Sequence, residues 1–226
     1  MKTAKQFYTE LTPEKLAKRK KEEFTKKELA YIERILNKKM RILDLGCGYG
    51  RFTIPLAKRR YNIKGIDITP SFIKKAKSMA RKNKVKIEFR TGDMRKLPYK
   101  ENSFDAIICM WSVFVELTSK SDQLKSIKEM LRVLSDEGFA IIEMPLPIKL
   151  RTKEKIVEYK SIGDKFVFRR DKRIVTGKIA GIEARPAYAH NKQTLISLMK
   201  QAKIKKFRVF IDEFGGRNRL FLKFYK

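Results

Sequence analysis

From Asp44 to Gly50 the sequence reads DLGCGYG, an aspartate closing a short apolar run and then glycines at 46, 48 and 50. Three glycines at alternate positions exceed the need of one tight turn. They permit positive φ and let a ligand approach the backbone closely, while a helix starting just beyond them offers unpaired N–H groups. The spacing sorts the ligand classes. A dinucleotide loop is G-x-G-x-x-G, with its third glycine one residue later than here, and a carboxylate at Asp44 would repel a pyrophosphate. No G-K-[ST] follows, which excludes a Walker phosphate loop. The same carboxylate suits a cationic cofactor, through a direct or water-mediated hydrogen bond to an ammonium group. Asp67 closes the next apolar run, where an acid can accept from the two hydroxyls of a ribose. Asp93 closes a third run, with Met94 after it, and can accept from an exocyclic amine such as that of adenine.

These residues need strands to end where they stand. From Met40 onward, short β-branched runs alternate with longer segments of helical period. RILDL (41–45), YNIKGID (61–67), VKIEFRTGD (85–93), FDAIICM (104–110) and FAIIEMP (139–145) are read as strands. Helices are expected at 51–60, where Pro55 fits awkwardly, after Thr69-Pro70, and along Leu124, Ile127, Leu131 and Leu134. Strands and helices in this order build a parallel sheet covered on both faces. Before them, TPEK opens one short helix and TKKE (25–28) reads as the capping box of a second. After Pro145 the rhythm breaks into a hairpin, KFVFRR-DKR-IVTGK; a last helix (Leu195, Leu198, Met199, Ala202) then precedes FRVFIDEF and RLFLKFYK. Those two strands are joined too tightly to be anything but antiparallel.

Together ILDLGCGYGRFTIPLAKR, IKGIDITPSFIKKAK, TGDMRKLPYKENSFDAIICMWSVF and MLRVLSDEGFAIIEMP make residues 40–144 resemble the cofactor-binding core of a class I S-adenosylmethionine (SAM)-dependent methyltransferase, of the small type 11/25-like kind. The terminal hairpin resembles the last strand pair of that fold. The resemblance implies a Rossmann-like, doubly wound seven-stranded α/β sheet, mostly parallel with an antiparallel C-terminal strand. N-terminal helices and a small β-rich insertion after the fifth strand would complete it. One domain spans 1–226 on this reading: a helical lid (1–38), the SAM-binding core (39–145), a substrate-side insertion (146–190), and the last helix with its hairpin (191–226). Carried over by position, Asp44, Gly46, Cys47 and Gly48 line the methionine end and Gly50 starts the helix. Asp67 holds the ribose, Ile68 beside it also belongs to the cofactor site, Asp93 and Met94 bracket the adenine, and Met110 lies near the cofactor and faces the acceptor. SAM would leave as S-adenosylhomocysteine.

The acceptor is read by elimination. CMWSVF at the end of the fourth strand is not the [DN]PP[YF] of exocyclic-amine nucleic-acid methyltransferases, and there is no Pro-Cys pair to attack a pyrimidine. A small molecule is favoured. A net charge of +30 keeps RNA as an alternative acceptor, or a catalytically silent SAM- or RNA-binding module. In-line displacement on an activated carbon needs alignment and dryness more than a base, so no catalytic residue is assigned. Glu116, Glu143, His190, Tyr8, Tyr159 and Tyr188 are the candidates for a base, and His190 reads as a surface or capping residue. Cys47 and Cys109 lack metal or disulfide spacing, so no metal is expected. Apolar runs such as 106–115 fall short of the roughly 18 residues of a membrane span, and the N-terminus has no apolar signal core. A soluble, cytoplasmic monomer or weak dimer is expected.

Overall fold

The computed structural model describes residues 4–18, 22–146, 154–161, 164–179 and 181–226. Helices α1 (Ala4–Leu11), α2 (Pro13–Lys18) and α3 (Glu22–Ile35) come first. Then β1 (Arg41–Leu45), α4 (Thr53–Lys58), β2 (Asn62–Asp67), α5 (Pro70–Lys82), β3 (Phe89–Thr91) and β4 (Phe104–Cys109) alternate. A 3-10 turn (Phe114–Glu116) leads to α6 (Lys120–Val133) and β5 (Leu134–Met144). The chain ends with α7 (Lys192–Gln201), β11 (Phe207–Glu213) and β12 (Asn218–Tyr225). Seven strands form one sheet in the order β11-β12-β5-β4-β1-β2-β3. The five from β5 to β3 are parallel, while β12 and β11 run antiparallel at the other end.

Alternate residues of the central strands fill opposite layers. Leu43, Ile107, Ala140 and Ile142 pack with Ile127 and Met130 of α6 and with Leu195 and Leu198 of α7. Ile42, Ile108, Ile141 and Phe221 pack with Leu29 and Ile32 of α3 and Leu56 of α4. Strands buried on both faces must read as nearly unbroken apolar runs, as RILDL and FDAIIC do. Asp105 locks the first of them in place: its Oδ2 accepts from the Arg41 backbone N–H at 2.8 Å and its Oδ1 from Arg41 Nη2 at 2.7 Å.

Between β5 and α7 lies a second, five-stranded sheet built from β6 (Ile156–Ser161), β7 (Asp164–Arg169), β8 (Ile174–Ile179), β9 (Ile182–Glu183) and β10 (Ala187–Tyr188). The β7–β8 hairpin matches the sequence reading; β6 and the two-residue β9 and β10 are additions to it. Among the described residues no helix is long and apolar enough to cross a membrane.

Three sequence expectations shift. Helix α3 is already formed at Glu22, so Thr25 is inside it and caps nothing. Glu22 and Glu23 favour its N-terminal dipole and pair with Lys26 and Lys27 one turn on, at 3.1 and 3.4 Å. The strand read at 85–93 shrinks to three residues, because it is an edge with only β2 to pair with. Strand β5 begins at Leu134 rather than after Gly138, and its register against β4 slips between Phe104 and Ala106. Gly138 belongs to that slip: a Cβ there would lie 2.9 Å from the Ser135 carbonyl. Pro55 is tolerated as the third residue of α4, where the N–H it lacks is one of those the first turn leaves unpaired within a helix.

Phe221 is fully buried and stacks on Tyr31 at 5.1 Å and on Phe210 at 5.3 Å. Phe221→Ala is expected to lower unfolding free energy by about 3–5 kcal/mol in urea denaturation; a loss under about 1 kcal/mol would mean that this layer repacks freely.

Candidate functional site

The C-terminal ends of β1, β2 and β4, with the chain just after β3, open onto one cavity of about 650 Å³. This is the edge at which an open α/β sheet receives ligands. Asp44 is 2% exposed and accepts from Thr53 Oγ1 at 2.6 Å. Burial pushes its carboxyl up to about 7, against the Thr53 bond and with help from the Asp67 charge. The loop then folds back onto β2: Gly46 N–H and Cys47 N–H both donate to the Ile66 carbonyl, at 2.8 and 3.0 Å. Gly46 has φ +78°, and a Cβ on it would stand 2.5 Å from Val113 Cγ1. Only glycine fits there.

Asp67 is tied to the same loop. Its Oδ2 accepts from Gly48 N–H at 3.0 Å and its Oδ1 from Thr69 N–H at 2.8 Å, in place of a side-chain cap on α5. Burial raises its carboxyl, opposed by those two N–H groups. Neither Asp44 nor Asp67 has a Lys or Arg partner among the described residues. Asp93 differs. Arg95 grips both of its oxygens and also reaches Asp122 at 3.0 Å. Burial raises Asp93, yet the Arg95 bonds outweigh it and leave the carboxyl below its usual range.

Beyond β4 the backbone is strained. Trp111 and Ser112 hold φ of +68° and +63°, a left-handed pair without glycine. Glu143, fully buried on β5, sustains them, its Oε2 accepting from both N–H groups at 2.6 and 3.2 Å. Arg219 of β12 pairs with Glu143 Oε1 and donates to Ser112 Oγ at 2.7 Å. This turn aims the Trp111 ring at the cavity, where Arg51 stacks on it at 4.6 Å and bonds Glu28 of α3.

A roof crosses the opening. The Tyr8 hydroxyl of α1 donates to Glu116 Oε1, and Arg185, between β9 and β10, donates from Nη1 to Glu116 Oε2 at 2.8 Å. The Tyr8 ring meets the edge of Phe72 at 5.6 Å, and behind it Phe7 and Leu11 pack against Ile182. Burial lifts the Glu116 carboxyl above its ordinary range, opposed by the Tyr8 and Arg185 bonds.

Of the residues that the sequence singled out, Asp44, Gly46, Cys47, Gly48, Asp67, Ile68, Asp93, Met94 and Met110 all line this cavity. Gly50 does not; it lines a separate groove beside α4 and α5, two residues ahead of the first residue preceding α4 rather than starting the helix. Among the base candidates Tyr8 and Glu116 line the cavity, whereas Glu143 is spent on the turn. The side chain of Tyr159 lies outside the described residues. His190 is 3% exposed rather than at the surface, between the rings of Phe114 and Tyr188. Burial and the Arg173 charge bring it down to about 3, and Asn191 performs the capping of α7 instead. Thr53, Arg51, Arg95, Trp111 and Arg185 were not foreseen. Arg95, two residues from Asp93, was the one with a local signal; the rest are brought in by tertiary contact.

The family profile described as a methyltransferase domain matches residues 36–203. The demethylmenaquinone methyltransferase of Deinococcus radiodurans is 32% identical over 121 residues, covering 52% of this chain and 48% of that protein. The chain thus spans about half the length of the curated relatives it matches. Among solved structures, the PH0226 protein of Pyrococcus horikoshii OT3 superposes over 97% of this chain and 95% of its own with a TM-score of 0.69 at 21% identity. The sugar N-methyltransferase KedS8 from Streptoalloteichus does so over 95% and 93% with a TM-score of 0.70 at 15% identity. Both likenesses are of fold. With nearly three quarters of its length under the family profile, and with the strand order and glycine loop described above, the chain belongs to the methyltransferase domain family.

Proposed function

We propose that the chain is a cytoplasmic enzyme that moves a methyl group from SAM to a small-molecule acceptor held in the same cavity. The observation that carries this reading is the roof. Tyr8, Glu116 and Arg185 close over the strand ends and leave about 650 Å³, a volume typical of small-ligand sites. A polymer would have to extrude its target group into the cavity.

The residues fit the cofactor. A buried carboxylate at Asp44, lifted to about 7 and without a cationic partner among the described residues, gains from an ammonium or sulfonium brought by the ligand. Asp67 keeps lone pairs free beyond its two backbone bonds, enough to accept from the hydroxyls of a ribose. Met94 and Ile68 offer apolar walls for the base, and Asp93, held rigid by Arg95, stands beside them. Bound SAM supplies a methyl group already activated by the positive sulfur. The chain's own part is to align the acceptor, with Met110 and Trp111 beneath it, and to exclude water with Tyr8 and Phe72 above.

Three measurements test this. Asp67→Ala is expected to abolish SAM binding in calorimetry; unaltered binding would remove the ribose assignment. Asp44 must be ionised to meet a cation, so SAM affinity is expected to fall as pH drops below about 7, by up to about tenfold per pH unit, and Asp44→Asn should flatten that profile. A pH-independent affinity in the parent chain would refute the Asp44 role. Given methyl-labelled SAM and a size-fractionated lysate, label is expected in low-molecular-weight material that survives RNase and protease. Label confined to RNase-sensitive material would favour RNA instead.

A further inference from the structure

Arg185 reaches the cavity from the insertion, and Glu116 uses one end of it alone. Nη1 donates to Glu116 Oε2, while Nε is buried without a hydrogen-bond partner and Nη2 has none among the described residues. The Nε–Nη2 edge is therefore unpaired. That edge carries parallel N–H groups in the fork that matches two oxygens of a carboxylate or a phosphate. A buried donor left unmet is costly, and the neighbouring acids make their hydrogen bonds elsewhere. Thr53 donates to Asp44, backbone N–H groups hold Asp67, and Arg95 binds both Asp93 and Asp122. Neither donor is met by the described residues, so an acceptor brought by a ligand can satisfy the edge.

Resting on the methyl-transfer reading above, we propose that the methyl acceptor is an anion whose carboxylate or phosphate docks on the Nε–Nη2 edge of Arg185. The cavity then has two electrical ends. Asp44, on a strand end, receives the cation, while Arg185, on the insertion, receives the anion. A protein of net charge +30 also draws anionic small molecules toward it from solution.

The test incubates the full chain with methyl-labelled SAM and an ultrafiltered small-molecule extract of its source cells, then passes the labelled product over an anion-exchange resin at neutral pH. Arg185→Gln and Arg185→Lys are run alongside, with S-adenosylhomocysteine affinity and melting temperature measured for each. The labelled product is expected to be retained on the resin. Transfer from dilute extract should fall about tenfold or more in Arg185→Gln and recover in part in Arg185→Lys, at unchanged S-adenosylhomocysteine affinity. A neutral or cationic product overturns the proposal using the parent chain alone, whatever the variants do. So does normal transfer by Arg185→Gln. A Gln variant that loses S-adenosylhomocysteine but keeps 5′-methylthioadenosine, which lacks the amino-acid moiety, assigns the edge to the cofactor's carboxylate and overturns it too. If SAM binds yet no label is transferred to anything, the methyl-transfer reading falls and takes this inference with it.

Discussion

Two carboxylates, the buried Asp44 and the partly buried Asp67, stand at the ends of neighbouring strands with no Lys or Arg among the described residues to meet them. Burying charge without a partner is among the costlier arrangements a fold can hold, and much of the local structure serves to hold it. Thr53 donates to one acid, the Gly48 and Thr69 N–H groups to the other, and the glycine loop must bend back over β2 to bring Gly48 there. That bend in turn demands a residue without a Cβ at Gly46, because Val113 fills the space above it. A local excess of negative charge thus dictates the loop, the helix start and the packing of the turn after β4.

The far wall of the cavity obeys a different rule. There charges are answered inside the protein: Glu143 by Arg219 and two backbone N–H groups, and Glu28 by Arg51 and Trp111. Answered charges make rigid walls, whereas unanswered ones make binding sites. Glu116 and Arg185 stand between the two regimes, since each is partly satisfied by the other.

How legible this was in the sequence follows the range of the interactions involved. Strands β1 and β4 were readable because burial on both faces leaves a nearly unbroken apolar record, and the final hairpin because its two runs are joined too tightly to be anything but antiparallel. The strand-end acids were readable because their positions are fixed relative to those runs. The Thr25 cap was misread because the competing signal, Glu22 and Glu23 paired with Lys26 and Lys27, also supports a helix and begins earlier. His190 was misplaced because nothing near it in the chain reports that Phe114 and Tyr188 will enclose it. Trp111 and Ser112 carry no mark of a left-handed backbone; that conformation is imposed by Glu143 and Arg219, 32 and 107 residues away from the atoms they bind. The β-rich insertion was half seen, as two-residue strands lack any period to detect.

The Tyr8–Glu116–Arg185 contact joins three separate stretches of chain across the mouth of the cavity. Anything passing under α1 must first separate a phenol from a carboxylate and peel Phe7 and Leu11 off Ile182. Helix α1 and the insertion are thus both latched to the turn after β4 through one carboxylate, whose two oxygens tie the position of each to that of the other.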